Sequence, residues 1–262
     1  MLGLDYTFMG GFMFKWLMSS IIIGSPNPIK ILIEKPKNEI WVMVIDTGVS
    51  KHNKLTSVVY DNSDDYIDKN GHGTHVAGLI QNGIDNLKLC PQVKIFSCKF
   101  FDGAEWKGAN AISDCVRKAS SLNMDYINVS AGGTSFIADE YEAFKNFKGT
   151  VFAAAGNDGN ELNNSYQYYP ASYSYNRVKY GLNKTSEHLK NIKVIQNVCN
   201  GVRIKSSNYK IGLISECGED AESTYLNNSY RILSGTSQAT AIALHKELLK
   251  TCSTFNGGNY GK

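Results

Sequence analysis

Charged residues make up only 19% of this 262-residue chain, and the formal net charge is +3 with lysines and arginines scattered along it. That describes a mildly basic surface with no cationic stripe, which argues against a nucleic-acid partner. Long apolar runs are missing too. Residues 8–23 are largely apolar, but Lys15 interrupts them and the stretch is too short for a membrane span. None of the six cysteines (Cys90, Cys98, Cys115, Cys199, Cys217 and Cys252) stands in a Cys-x-x-Cys or paired metal-knuckle spacing, so no metal site follows. Their even number fits disulfides in an oxidising compartment. A domain of this size does not require them, however, and Cys98 and Cys199 lie in apolar, strand-like runs that suit a buried thiol equally well. Cys199 with Cys217 is the pairing to test first. There is no internal repeat, low-complexity tract or domain-length linker, and the hydrophobic fraction of 42% is that of an ordinary globular protein. One large α/β domain is expected.

The residues that are present converge on a nucleophile. In Ser234-Gly235-Thr236-Ser237-Gln238-Ala239-Thr240-Ala241, a glycine turn runs into small, helix-compatible residues, and a helix is expected from Ser237 to about residue 250. The first N–H groups of that helix lack intrahelical partners, so a negative oxygen forming beside Ser237 would be stabilised there. A serine hydroxyl needs a base, and the base needs an orienting group. With only five histidines the search is short. His72 stands between glycines in Asn70-Gly71-His72-Gly73-Thr74-His75-Val76-Ala77-Gly78, ahead of a small-residue helix. Asp46 closes the apolar run Ile40-Trp41-Val42-Met43-Val44-Ile45, at the strand end where open α/β sheets place their sites. No Gly-x-Gly-x-x-Gly follows that strand, which argues against a dinucleotide-binding domain.

Asp46-Thr47-Gly48, His72-Gly73-Thr74-His75-Val76-Ala77-Gly78 and Gly235-Thr236-Ser237 together resemble, in order, the three motif islands of the subtilisin-like serine proteases. A fourth island, Val151-Phe152-Ala153-Ala154-Ala155-Gly156-Asn157-Asp158-Gly159, aligns Asn157 with that family's side-chain oxyanion donor. Ile127-Asn128-Val129-Ser130-Ala131-Gly132-Gly133 resembles the strand that lines the S1 pocket and pairs with substrate, and Tyr169-Pro170-Ala171 a turn near it. The resemblance implies a three-layer α/β fold with a mostly parallel central sheet and helices on both faces. It also implies peptide-bond hydrolysis by Asp46, His72 and Ser237, polypeptide substrates, no cofactor and a monomer. A pseudoenzyme that grips peptides by strand addition is the alternative.

Ser130, Ala131, Gly132, Ala155 and Gly156 are small and imply a roomy, mostly apolar S1 cleft. Asp158 is expected at its rim, where it would tolerate a basic P1 residue. Residues 101–108 correspond to an edge strand for the substrate's upstream residues, with 103–106 as candidates. Residues 61–68 read as a solvated acidic loop, since their spacing fits no EF-hand and no ligand set for a structural calcium is identified. Strands are expected at 93–99, 126–130, 151–155, 194–198, 210–215 and 230–233, and helices at 111–122 and 137–147. Residue 241, where many relatives carry proline, is alanine, a better helix former.

Residues 38–252 are the expected peptidase domain, residues 253–262 a flexible tail, and residues 1–37 an N-terminal extension. A start at Met13 would make residues 13–25 a secretory signal; a segment packing on the domain and a misassigned start are the other readings. Secretion or a periplasmic location follows from the first, and an intracellular location is the alternative. Proteases of this family commonly carry an N-terminal prodomain, and the 45 residues before Asp46 are too few for one. Either none is used, it is encoded elsewhere, or the sequence is a fragment. Asn163-Asn164-Ser165 and Asn183-Lys184-Thr185 match glycosylation acceptors in a polar, tyrosine-rich run and are read as chance matches in a surface loop.

Overall fold

Seven consecutive buried residues, Ile40–Asp46, form β1, and their side chains alternate between two separate cores. Trp41, Met43 and Ile45 pack with Val116, Ile127 and Phe144, while Ile40, Val42 and Val44 pack with Ile80, Ile95 and Leu244. A strand apolar on both faces is what a parallel sheet covered on both sides demands. The computed structural model describes residues 34–60, 64–82, 90–103, 105–108, 110–181 and 184–255. The N-terminal extension up to residue 33, residues 61–63 of the acidic loop, Asn183 and the tail from residue 256 lie outside the described residues.

In chain order, β1 is followed by α1 (His72–Asn82), β2 (Val93–Lys99), β3 (Phe101–Asp102), β4 (Glu105–Trp106), α2 (Ala111–Ser121), β5 (Tyr126–Val129), α3 (Ala138–Asn146) and β6 (Thr150–Ala154). Then come β7 (Lys179–Tyr180), β8 (Lys184–Thr185), β9 (Ile192–Cys199), β10 (Val202–Arg203), β11 (Ile214–Glu216), β12 (Ala221–Thr224), β13 (Tyr230–Leu233) and α4 (Thr236–Phe255). The central sheet runs β2-β1-β5-β6-β9, all parallel, and β11 (parallel) and β10 (antiparallel) share the far edge of β9. Helices α2 and α3 supply one core with Ile112, Val116, Tyr141 and Phe144; α1 and α4 supply the other with Val76, Leu79, Ile242 and Leu248. This is the three-layer α/β architecture expected from the sequence.

Several elements depart from expectation for local reasons. Residues 101–108 form the short antiparallel pair β3–β4 rather than one edge strand, because Gly103 takes φ +66° and turns the chain. The strand expected at 210–215 begins only at Ile214: Gly212 at φ +90° breaks it, and Ile211 is 99% exposed. Helix α4 continues to Phe255, past the end expected at about residue 250.

All six cysteines pair. Cys199–Cys217 joins β9 to the segment after β11, Cys98–Cys115 ties β2 to α2, and Cys90–Cys252 ties the approach to β2 to the end of α4. The last two close very different loops, with sequence separations of 162 for Cys90–Cys252 and 17 for Cys98–Cys115. If constraint of the unfolded chain dominates, replacing Cys90 and Cys252 by serine lowers stability by about 2 kcal/mol more than replacing Cys98 and Cys115. Denaturant unfolding of the two double variants measures the difference, and equal losses would refute the chain-entropy account.

Candidate active site

The carboxyl end of β1 delivers Asp46 to the sheet edge at 1% exposure. A carboxylate buried so deeply needs donors, and Asp46 Oδ1 accepts the Thr47 N–H and the His72 Nδ1–H, each at 2.8 Å. With its proton on Nδ1, the imidazole presents Nε2 as a lone-pair acceptor. Burial is the largest influence on that ring and favours the neutral form. The charge and hydrogen bond of Asp46, with Asp68 beyond, outweigh it, and His72 titrates above its ordinary 6.5. Gly73 makes the approach possible: a Cβ there would stand 2.0 Å from the Gly48 carbonyl oxygen and 3.0 Å from Asp46 Cβ.

Asp68 locks this corner from beneath. Its Oδ1 accepts Thr47 Oγ1–H and the N–H groups of Asn70 and Gly71, and its Oδ2 accepts the N–H and hydroxyl of Thr74. Thr47 Oγ1 in turn accepts the Gly73 N–H at 3.0 Å, so one buried carboxylate ties the end of β1 to the first turn of α1. The acidic loop was expected to be solvated. Asp68 is 5% exposed and Asp65 pairs with Lys118, because the folded chain offers both carboxylates better donors than water.

Ser237 opens α4 in its first turn, after Gly235 at φ +148°, a value closed to other residues. Ser237 Oγ donates to the Ser130 carbonyl oxygen, and Ser130 Oγ donates to the Ser237 carbonyl oxygen, both at 3.2 Å. Buried Asn128 steadies the pair by donating to Ser130 Oγ at 2.9 Å. Sheet register then relates the two halves. Ile45 is level with Val129, and Val129 with Ala153, so the next residues, Asp46, Ser130 and Ala154, leave three adjacent strands side by side. Neighbouring strands lie about 5 Å apart. Asp46 carries His72, Ser130 carries Ser237, and Asn157 follows three residues after Ala154. Asn157 Oδ1 accepts the Thr236 N–H and hydroxyl, each at 3.0 Å, so this exposed residue beside the start of α4 has Nδ2 as its remaining polar group. The arrangement can hold a carbonyl carbon near a hydroxyl, with an imidazole acceptor and amide donors alongside.

Set against known families, residues 37–245 match the subtilase family. This chain belongs to the subtilase family. It is 31% identical to a thermostable alkaline protease of Halalkalibacterium halodurans over 76% of this chain and 53% of that protein. It is 32% identical to the minor extracellular protease Epr of Bacillus subtilis over 77% of this chain and 30% of that protein, and 32% identical to subtilisin BL of Lederbergia lenta over 76% and 71%. The chain thus spans about half the length of the first of these relatives. In fold it is similar to a cold-adapted subtilisin-like serine proteinase, with a TM-score of 0.64 at 24% identity over 84% of this chain and 77% of that one.

The residues expected on the substrate side of this subtilase are held by groups the motifs do not reveal. Buried Asn208 accepts the N–H groups of Asp158 and Asn160 on Oδ1 and donates to the Ala155 carbonyl and the Asp158 carboxylate, bracing the Asn157 turn. Asp158 also accepts the Tyr166 hydroxyl at 2.7 Å. Between Gly132 and Gly156 the expected open cleft is narrowed by the Tyr168 ring, whose Cε1 lies 2.5 Å and 3.0 Å from where Cβ atoms on those glycines would stand. Ala131 is half-buried and Ala155 buried. Asn208 and Tyr168 sit in polar or tyrosine-rich sequence with no motif around them. Asp68, four residues before His72, offers only the hint that a carboxylate there can reach the helix's first N–H groups.

Proton NMR of the imidazoles tests the electrostatics without any turnover. The His72 resonance is expected to titrate above 6.5 in the wild-type chain and to move to lower pH in Asp46→Asn, where burial acts with no carboxylate opposing it. A His72 pKa unmoved by that substitution would show that Asp46 does not govern the ring.

Proposed function

We propose that this subtilase is a serine endopeptidase whose peptidase domain, residues 38–252, cleaves polypeptides through an acyl-enzyme. The observation that carries the reading is the meeting of two bonded pairs, Asp46 with His72 and Ser130 with Ser237, on neighbouring strand ends. For attack, the Ser237 hydroxyl exchanges the Ser130 carbonyl for His72 Nε2, which takes its proton as the oxygen adds to the peptide carbon. Asp46 holds the imidazole tautomer and stabilises the imidazolium. The Ser237 N–H and Asn157 Nδ2 receive the oxyanion. His72 then protonates the leaving amine, and water releases the acyl group by the same route. Esters yield to the same sequence of steps. Secretion into an oxidising compartment is part of the proposal, supported by the three disulfides.

A fluorophosphonate probe reads the nucleophile directly. Labelling is expected in the wild-type chain and absent in Ser237→Ala, and a wild-type chain that stays unlabelled while folded would end the endopeptidase reading. The Tyr168 ring between Gly132 and Gly156 sets P1 preference on this reading. Peptides with Ala or Ser at P1 are expected to be cut roughly tenfold or more faster than those with Phe, and Tyr168→Gly to reverse the order. Unchanged ratios of kcat/KM in that variant would remove Tyr168 from the specificity site.

A further inference from the structure

On α3, Glu140 is 4% exposed yet lines a cavity of about 340 Å³ whose walls are Phe100, Phe101, Ile112, Ile137 and Tyr169. The cavity also borders Gly132 and Gly133, so it adjoins the segment that begins at Ser130, the hydrogen-bond partner of Ser237. Gly133 and Tyr169 exchange N–H···O bonds at 3.0 and 2.7 Å, which fixes the wall between this cavity and the Tyr168 side. A carboxylate in such a place is expensive unless a cation meets it. Among the described residues none does. Its electrostatic neighbours are Tyr173 and Asp139, and Asp139 is itself committed to Arg117 and Ser113. Burial accordingly pushes the Glu140 carboxyl up to about 7, with the Tyr173 hydrogen bond opposing and Asp139 adding to the rise.

We propose that this cavity receives a basic side chain of the bound peptide, lysine or arginine, whose cationic head pairs with Glu140. The inference rests on the endopeptidase reading only for the direction in which the peptide lies. The chemistry of the walls fits the guest. Methylene stems of lysine and arginine pack on apolar surface while their heads seek an anion, and the faces of Phe100, Phe101 and Tyr169 are favourable to a passing cation. A purely aliphatic guest would leave the buried carboxyl unpaired, and an acidic one would face like charge. Glu140 is thus a specificity residue at a second site, separate from the Tyr168 wedge.

Binding to a chain that cannot turn over tests this. Fluorescent short peptides carrying lysine, norleucine or glutamate at each position upstream of the scissile bond are titrated against full-length Ser237→Ala by anisotropy. At one position lysine is expected to bind about tenfold or more tightly than norleucine, with glutamate weakest, and the lysine advantage to vanish in Ser237→Ala/Glu140→Gln. Because the comparison is between peptides on one variant, a general loss of stability does not imitate the result. Equal binding of lysine and norleucine at every position, an absence of peptide binding, or an advantage that survives Glu140→Gln would overturn the proposal. Failure of wild-type chain to cleave the same peptides would sink the endopeptidase reading and leave the affinity comparison standing.

Discussion

The site depends on β1 and β5 ending level. Parallel strands about 5 Å apart have no freedom to slip by one residue here, because both faces of β1 are buried and a slip would exchange its two core-facing sets. Register therefore fixes Asp46 beside Ser130 before any side chain is considered. The rest follows from what each strand end must satisfy. A carboxylate at 1% exposure draws in two donors, one of them His72, and the carbonyl end of β5 draws in the Ser237 hydroxyl. Chemistry-bearing residues far apart in sequence are thus gathered by the hydrogen-bonding needs of a sheet edge.

The helices that bring His72 and Ser237 are fastened to each other as well as to the sheet. Helix α4 reaches α1 through His245, whose Nδ1 lies 2.9 Å from the Ile80 carbonyl oxygen, and both helices share the core of Leu79, Ile80, Leu244 and Leu248. On its other side α1 is held by the β12–β13 pair. Ser223 and Thr224 donate to the carbonyls of His75 and Thr74, and His75 Nε2 faces the carbonyl oxygens of Ala221 and Arg231. Burial pushes His75 down to about 4, with those carbonyls opposing, so it is a neutral structural residue. That places the His75 contribution to stability above pH 6.5, with a loss as the pH falls from there toward 4, because only the unfolded chain binds the proton in that window. Two histidines three residues apart in one motif thus have opposite electrostatic fates, decided by whether a carboxylate or a pair of carbonyls faces the ring.

The fold and the motif residues were legible because they obey strong local rules. Ile40–Asp46 is apolar throughout and ends in an acid, and Gly235 precedes a run of small residues that can only be a packed helix start. What was not legible depends on partners distant in the chain. Asp68 reads as one more acid in an acidic loop until Thr47 and Thr74 are seen around it. Asn208 has no motif around it, and only its four side-chain bonds to residues 155–160 reveal its role. The same holds for volume. Small residues at 130–132 and 154–156 promise space, but space belongs to whatever side chain arrives, and Tyr168 arrives from another segment.

On the proposed reading, catalytic and selective functions are built from different parts of the chain. The groups proposed to pass the proton stand on strand ends and helix starts whose positions the core dictates. The pockets are walled by side chains from other segments: Tyr168 and Tyr169, which precede β7, and Ile137 and Glu140 at the start of α3. Tyr169 is common to both pockets, bridged to Gly133 and lining the Glu140 cavity, so it divides them without touching Asp46 or His72. A change at Tyr168 or Glu140 can alter what is bound while leaving sheet register, the buried Asp46 carboxylate and the Asn157 brace where they are. On the proposed reading, substrate choice would therefore be separable from the hydrolytic step at the level of single side chains.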